Sequence, residues 1–157
     1  MTATVRVVRV QSPWPKVEPL VRKAARVTLD HLGGYKGAEI DVRLTNDSEV
    51  QELNHRYRGI DRPTNILSFA MLEEDEDGQP PEAPLWLGDL VIAYETVARE
   101  ADEQGKTFSD HLMHLVVHGV LHLVGHDHEK SPEDELLQET MEIAILSRLG
   151  ITNPYEE

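Results

Sequence analysis

Residues 118–128 read HGVLHLVGHDH, and the fold and the chemistry are both most legible from this run. His118 and His122 are four apart, so on a helix their imidazoles leave one face a single turn from each other. From Leu112 to Val124 the chain is apolar nearly all round, which predicts a buried central helix. Its polar side is a stripe made of His111, His114, His118 and His122. Buried imidazoles need partners, and one shared cation satisfies several at once. Gly125 is positioned to end the helix and turn the chain, which would return His128 toward the same point. Three protein ligands with one open position is how a catalytic zinc is built; structural zinc is usually closed by four. The spacing therefore predicts one Zn²⁺ per chain on His118, His122 and His128. Three imidazoles also suit Ni²⁺ or Cu²⁺. For His111 and His114, toward the helix N-terminus, three fates stay open: orienting a ligand, satisfaction within the core, or solvation.

In an H-E-x-x-H metallopeptidase the residue after the first histidine is a glutamate acting as base. Here it is Gly119. The helix supplies ligands and no base, which argues against ordinary peptidase chemistry. Asp127, beside His128, is a candidate for orienting an imidazole.

Working outward, the segments predict an α+β fold with the order β-α-β-α-β-β-α-α-α. Thr4–Val10, Ile40–Leu44, Ile66–Leu72 and Leu87–Ala93 read as strands. Val17–Leu32 has helical period and ends at Gly33-Gly34. Asn46 with Glu49 is a capping-box start to a helix that buries Val50, Leu53 and Tyr57 and stops at Gly59. Glu95–Gln104 is a helix, Thr107 or Ser109 caps the histidine helix, and Ser131-Pro132 opens the last one. That last helix is expected to bury Leu137, Met141, Ala144 and Ile145. Residues 73–84, EEDEDGQPPEAP, read as a mobile acidic loop. The expectation is a single domain over residues 1–157: a mixed sheet of about four strands, helices packed on it, and a zinc-bearing helix at the centre.

The chain holds no cysteine, which excludes disulfides and thiolate metal sites. No run approaches a membrane span or a signal peptide, so a cytoplasmic protein with no membrane partner is expected. The net charge of −14 is uneven. Residues 1–70 carry 11 Lys and Arg against 8 Asp and Glu; residues 71–157 carry 4 against 21. A basic face is therefore available in an acidic protein, with Arg22, Lys23 and Arg26 on the first helix and Arg56 on the second as candidate RNA-binding residues. The competing reading of the first-helix residues is an ordinary solvated face.

Three ordered motifs carry a family resemblance. HGVLHLVGHDH closely resembles the H-G-x-L-H-L-x-G-[YH]-D-H signature of the YbeY family of bacterial endoribonucleases. Leu53–Ala70, LNHRYRGIDRPTNILSFA, resembles that family's second signature, and Leu87–Ile92, LGDLVI, its third. Asn65 stands where the family usually has Asp, Ala70 where it has Pro, and His126 where Tyr is common. The resemblance implies single-strand-specific cleavage of RNA, a part in forming the 3′ end of small-subunit ribosomal RNA and in ribosome quality control, and no DNA substrate. It also implies an important arginine at Arg58. A planar guanidinium there can meet two phosphoryl oxygens bidentately. The alternative for Arg58 is an ion pair with Asp61 or Asp89 that fixes a loop. Two other functions remain open: a zinc hydrolase of peptide or amide bonds, and a ribosome-assembly factor with structural zinc.

Overall fold

The computed structural model describes residues 3–10, 13–35, 37–71, 86–125 and 131–154. Along the chain come β1 (Thr4–Arg9), α1 (Glu18–Leu32), β2 (Glu39–Thr45), α2 (Asp47–Arg58), β3 (Ile66–Ala70), β4 (Trp86–Ala93), α3 (Tyr94–Glu103), α4 (Phe108–Leu123) and α5 (Pro132–Arg148). This is the element order expected, with ends shifted by one or two residues. The acidic stretch 73–84, Asp127 and His128 lie outside the described residues. Among the described residues no helix is long and apolar enough to cross a membrane.

The strands form one sheet in the order β1-β2-β4-β3. β1, β2 and β4 run parallel, and β3 is antiparallel to β4, so the sheet is mixed. Parallel strands need crossovers, and α1 and α2 supply them on opposite faces. On one face Ile40, Leu44, Leu90 and Ile92 pack with α1 and α4 residues in the main core. On the other, Val50 of α2 meets Leu67, Val91 and Ala93 in a smaller cluster. β4 is thus covered on both faces, which is why its sequence reads as a continuous apolar run instead of an alternation.

Helix starts follow their local chemistry. Asn46, Thr107 and Ser131 each sit in extended conformation and accept from the backbone N–H three residues on, at 2.9, 3.1 and 3.1 Å. α4 buries residues on every side, Leu112, Leu115, Val116, Gly119 and Leu123 among them. It lies against α1, α3, α5 and the β3–β4 ribbon.

Gly119 is where α4 comes closest to the sheet. A Cβ there would stand 2.8 Å from Ile66 Cδ1 and 2.9 Å from Leu90 Cδ2. The missing glutamate therefore has a packing cause, since a side chain at this position would enter the β3–β4 interface and not the histidine face. Gly119→Ala is expected to lower stability by about 1–3 kcal/mol in urea unfolding, because both side-chain tips must give way. An unchanged midpoint would mean that the interface is loose.

Two sequence expectations need correction. Tyr57 is 62% exposed, its ring set edge-on to Phe69 at 5.4 Å. In α5, Leu137 is 54% exposed and Ala144 is also exposed. The buried face instead runs through Gln138, Glu142, Ile145 and Leu146. An apolar-face search rotates this helix wrongly because two of its innermost residues are polar.

On the basic face of α1, two of the candidate arginines have partners within the protein. Arg22 Nε donates to Val5 O at 3.3 Å and Arg26 Nε to Ala3 O at 3.2 Å. β1 is an edge strand, and Thr4 N–H bonds toward β2 at Ala38 O, so the Ala3 and Val5 carbonyls point outward. These arginines reach back to cover the open carbonyls of the edge.

Candidate active site

α4, β3 and the end of α2 enclose a cleft of about 480 Å³. His111, His114, His118 and His122 form one wall; Asn65, Ile66 and Ser68 come from the β3 side, Glu100 from α3, and Arg58 from the last position of α2. Gly59 follows with φ 71°, closing the helix so that Arg58 projects at its end. The cleft thus brings Arg58 together with two of the three expected metal ligands.

The ring centroids of His118 and His122 are 4.5 Å apart with planes inclined by 43°. His118 Nδ1 lies 2.8 Å from Glu142 Oε1, a carboxylate on α5 that is only 1% exposed. Donation of Nδ1–H to that carboxylate puts the ring's lone pair on Nε2, the nitrogen available to a cation. His114 Nε2 is 3.4 Å from the same oxygen, and the Gln138 amide stands 3.2 Å from His118 Nδ1. An imidazole pair one turn apart, backed by a buried carboxylate, is a donor set that fits Zn²⁺. Gly125, with φ 94°, follows α4 in a conformation that favours glycine. Among the described residues no group of three or more His, Asp or Glu side chains is arranged to hold a metal ion.

Sequence reasoning missed Glu142 and Gln138. The signal was present: a polar pair four apart, between Leu137 and Ile145, facing a helix whose histidines needed partners.

Arg58 is exposed and makes no ion pair with any described residue. Asp61 instead accepts from Gln51 Nε2 at 3.0 Å, and Asp89 lies beside Asp41 and Arg6 in a separate groove formed by β1, β2 and β4. Of the candidate RNA-binding residues, Arg22, Lys23, Arg26 and Arg56 do not line the cleft. Arg22 and Arg26 are engaged on β1, Lys23 is exposed on α1, and Arg56 pairs with Glu52 at 3.0 Å.

Next to the histidine wall, Glu100 Oε1 receives Asn65 Nδ2 at 3.0 Å and stands 3.0 Å from His111 Nε2. Asn65 Oδ1 in turn accepts from Ile66 N–H at 2.7 Å. An aspartate at 65 would set a second carboxylate against Glu100, so the amide matches this chain's own surroundings.

His111 is 3% exposed, and burial pushes its pKa below the usual histidine range, with Lys106 and His114 adding to the fall and the Glu100 carboxylate opposing it. The sign follows from linkage. An unfolded histidine takes a proton near pH 6.5 and the folded one only at lower pH, so the unfolded state binds more protons between the two. Stability is expected to fall as pH drops from about 6.5 through the folded pKa. Melting temperatures of His111→Gln should show a shallower decline over that window; an equal slope would assign the effect to other groups.

The family model described as Endoribonuclease YbeY matches residues 6–150. The endoribonuclease YbeY of Magnetococcus marinus is 56% identical over 121 residues, covering 74% of this chain and 82% of its own. That of Bradyrhizobium sp. is 45% identical over 144 residues, covering 91% and 85%. A solution structure from Thermotoga maritima superposes with a TM-score of 0.58 at 26% identity, over 98% of this chain and 100% of that one.

Proposed function

Because this chain belongs to the endoribonuclease YbeY family, we propose that it cleaves single-stranded RNA with one Zn²⁺ held by His118, His122 and His128. Its substrate is ribosomal RNA, at the 3′ end of the small-subunit species and in ribosome quality control, and its place of work is the cytoplasm on or beside the small ribosomal subunit. The observation that carries this reading is the single cleft holding Arg58, His118 and His122.

When bound, zinc supplies Lewis acidity that lowers the pKa of water and polarises a phosphoryl oxygen. The chain's own groups do the rest. Glu142 fixes the His118 ring and its tautomer from behind. Arg58 offers a planar pair of N–H donors to the non-bridging phosphoryl oxygens as their charge grows. Gly119 carries no base, and the residue at that position faces the sheet, which disfavours peptide hydrolysis. A confined cleft suits a flexible strand whose bases can splay, in preference to a stiff duplex.

Protein purified without added metal is expected to contain close to one zinc per chain by elemental analysis. It should cut an RNA carrying single-stranded tails only within those tails, lose this activity to a chelator, and leave unfolded casein intact. Casein cleavage with untouched RNA would overturn the nuclease reading in favour of the amide hydrolase.

A further inference from the structure

The cleft does not end at the histidine wall. A second hollow of about 300 Å³ adjoins it, and the two share Gln104, Lys106, His114 and Pro154. The extension runs over the turn between α3 and α4 toward Thr107 and Asp110 on one side, and Ile151–Pro154 on the other. From His118 to Thr107 is 11 residues of helix, about 16 Å at 1.5 Å each, several times the roughly 3.4 Å rise of a stacked strand.

Charge along this track is ordered. Among the described lining residues the permanent cations are Arg58 at one end and Lys106 at the junction of the two hollows. Lys106 is half-buried and its backbone is tied to Ala101 O at 2.9 Å, so its stem starts from a fixed point. Its charge is felt inside the cleft, where it helps depress the pKa of His111. Glu100 is turned to Asn65 and His111, which lessens its repulsion of a phosphate. Beyond Lys106 the sign changes: Asp110 lines the second hollow and opposes a phosphate there. A carboxylate in that place accepts from sugar hydroxyls and base amino groups, the ribose 2′-OH included.

We propose that this extension is a second nucleotide subsite, in which Lys106 holds a phosphate further along the strand from the cleaved one and the hollow between Thr107, Asp110 and Thr152 takes the adjoining nucleoside. It deepens the nuclease reading and rests on it. Occupancy commits the strand to one course, lengthwise along α4 from Arg58 toward the α3–α4 turn.

Oligoribonucleotides extended one nucleotide at a time on either side of the cut test this through kcat/KM. Wild-type protein is expected to show a step of about tenfold when the nucleotide that reaches Lys106 is added, on one side of the cut only. Lys106→Glu should erase the step and lower the magnitude of the salt slope by about 0.7, as expected for one phosphate contact on a single strand. Lys106→Arg should keep both. Thr152→Trp, which fills the hollow without changing charge, should erase the step and keep the slope. A step that survives in both Lys106→Glu and Thr152→Trp overturns the subsite while leaving the nuclease intact. Wild-type protein that cuts none of the oligonucleotides overturns the nuclease reading, and the subsite with it.

Discussion

Arg58→Ala protein is expected to cleave single-stranded RNA about 10²–10³-fold more slowly than wild type, with RNA affinity reduced by no more than about tenfold. The difference between the two figures is the point of the experiment. Arg58 is exposed, forms no ion pair with a described residue, and lines the cleft with His118 and His122, so its removal leaves no buried partner unsatisfied and no core defect. Any fall in rate then reports lost stabilisation of charge as the phosphoryl group reacts. Kinetics and binding measured on one RNA separate the cases. Equal losses in affinity and turnover would support an assembly factor that holds RNA without needing Arg58 for chemistry. Lysine at 58 should recover only part of the rate, because a point charge cannot reproduce the two-pronged donor.

Glu142→Ala is expected to weaken zinc binding about 10–100-fold in chelator competition, with no ligand atom touched. The carboxylate is 1% exposed and 2.8 Å from His118 Nδ1, and without it the ring has lost the acceptor that orients it. Glu142→Gln keeps an acceptor in place and should lose less affinity. A melting curve recorded alongside distinguishes disturbed packing of α5 from a looser metal site: packing alone would lower the melting point and leave zinc affinity unchanged. Unaltered affinity in Glu142→Ala would reduce this residue to a link between helices.

Asn46, Thr107 and Ser131 were readable as caps because capping is settled within four residues of chain. The buried character of α4 was readable because apolar residues surround it, and the pairing of His118 with His122 because a helical turn enforces it. Glu142 was harder to place, since its partner lies 24 residues away and one glutamate among the several acidic residues of α5 reads as solvated. The backbone partners of Arg22 and Arg26 were hidden for a related reason. Whether a strand is an edge depends on the completed sheet order, and only then does an arginine four residues from another acquire a backbone to cover. Asn65 reads as a departure from the family pattern in sequence and as a fitted amide beside Glu100 in three dimensions.

The contact between His118 and Glu142 also carries a timetable. Ribosomes deliver chain at about 5–20 residues per second, so the carboxylate is added some 1–5 s after the histidine it orients. Until α5 has emerged and docked, the imidazole lacks its partner, however well β1 through α4 have assembled. The orientation of the His118 ring is therefore fixed only when α5 docks, after the sheet and α4 have been made.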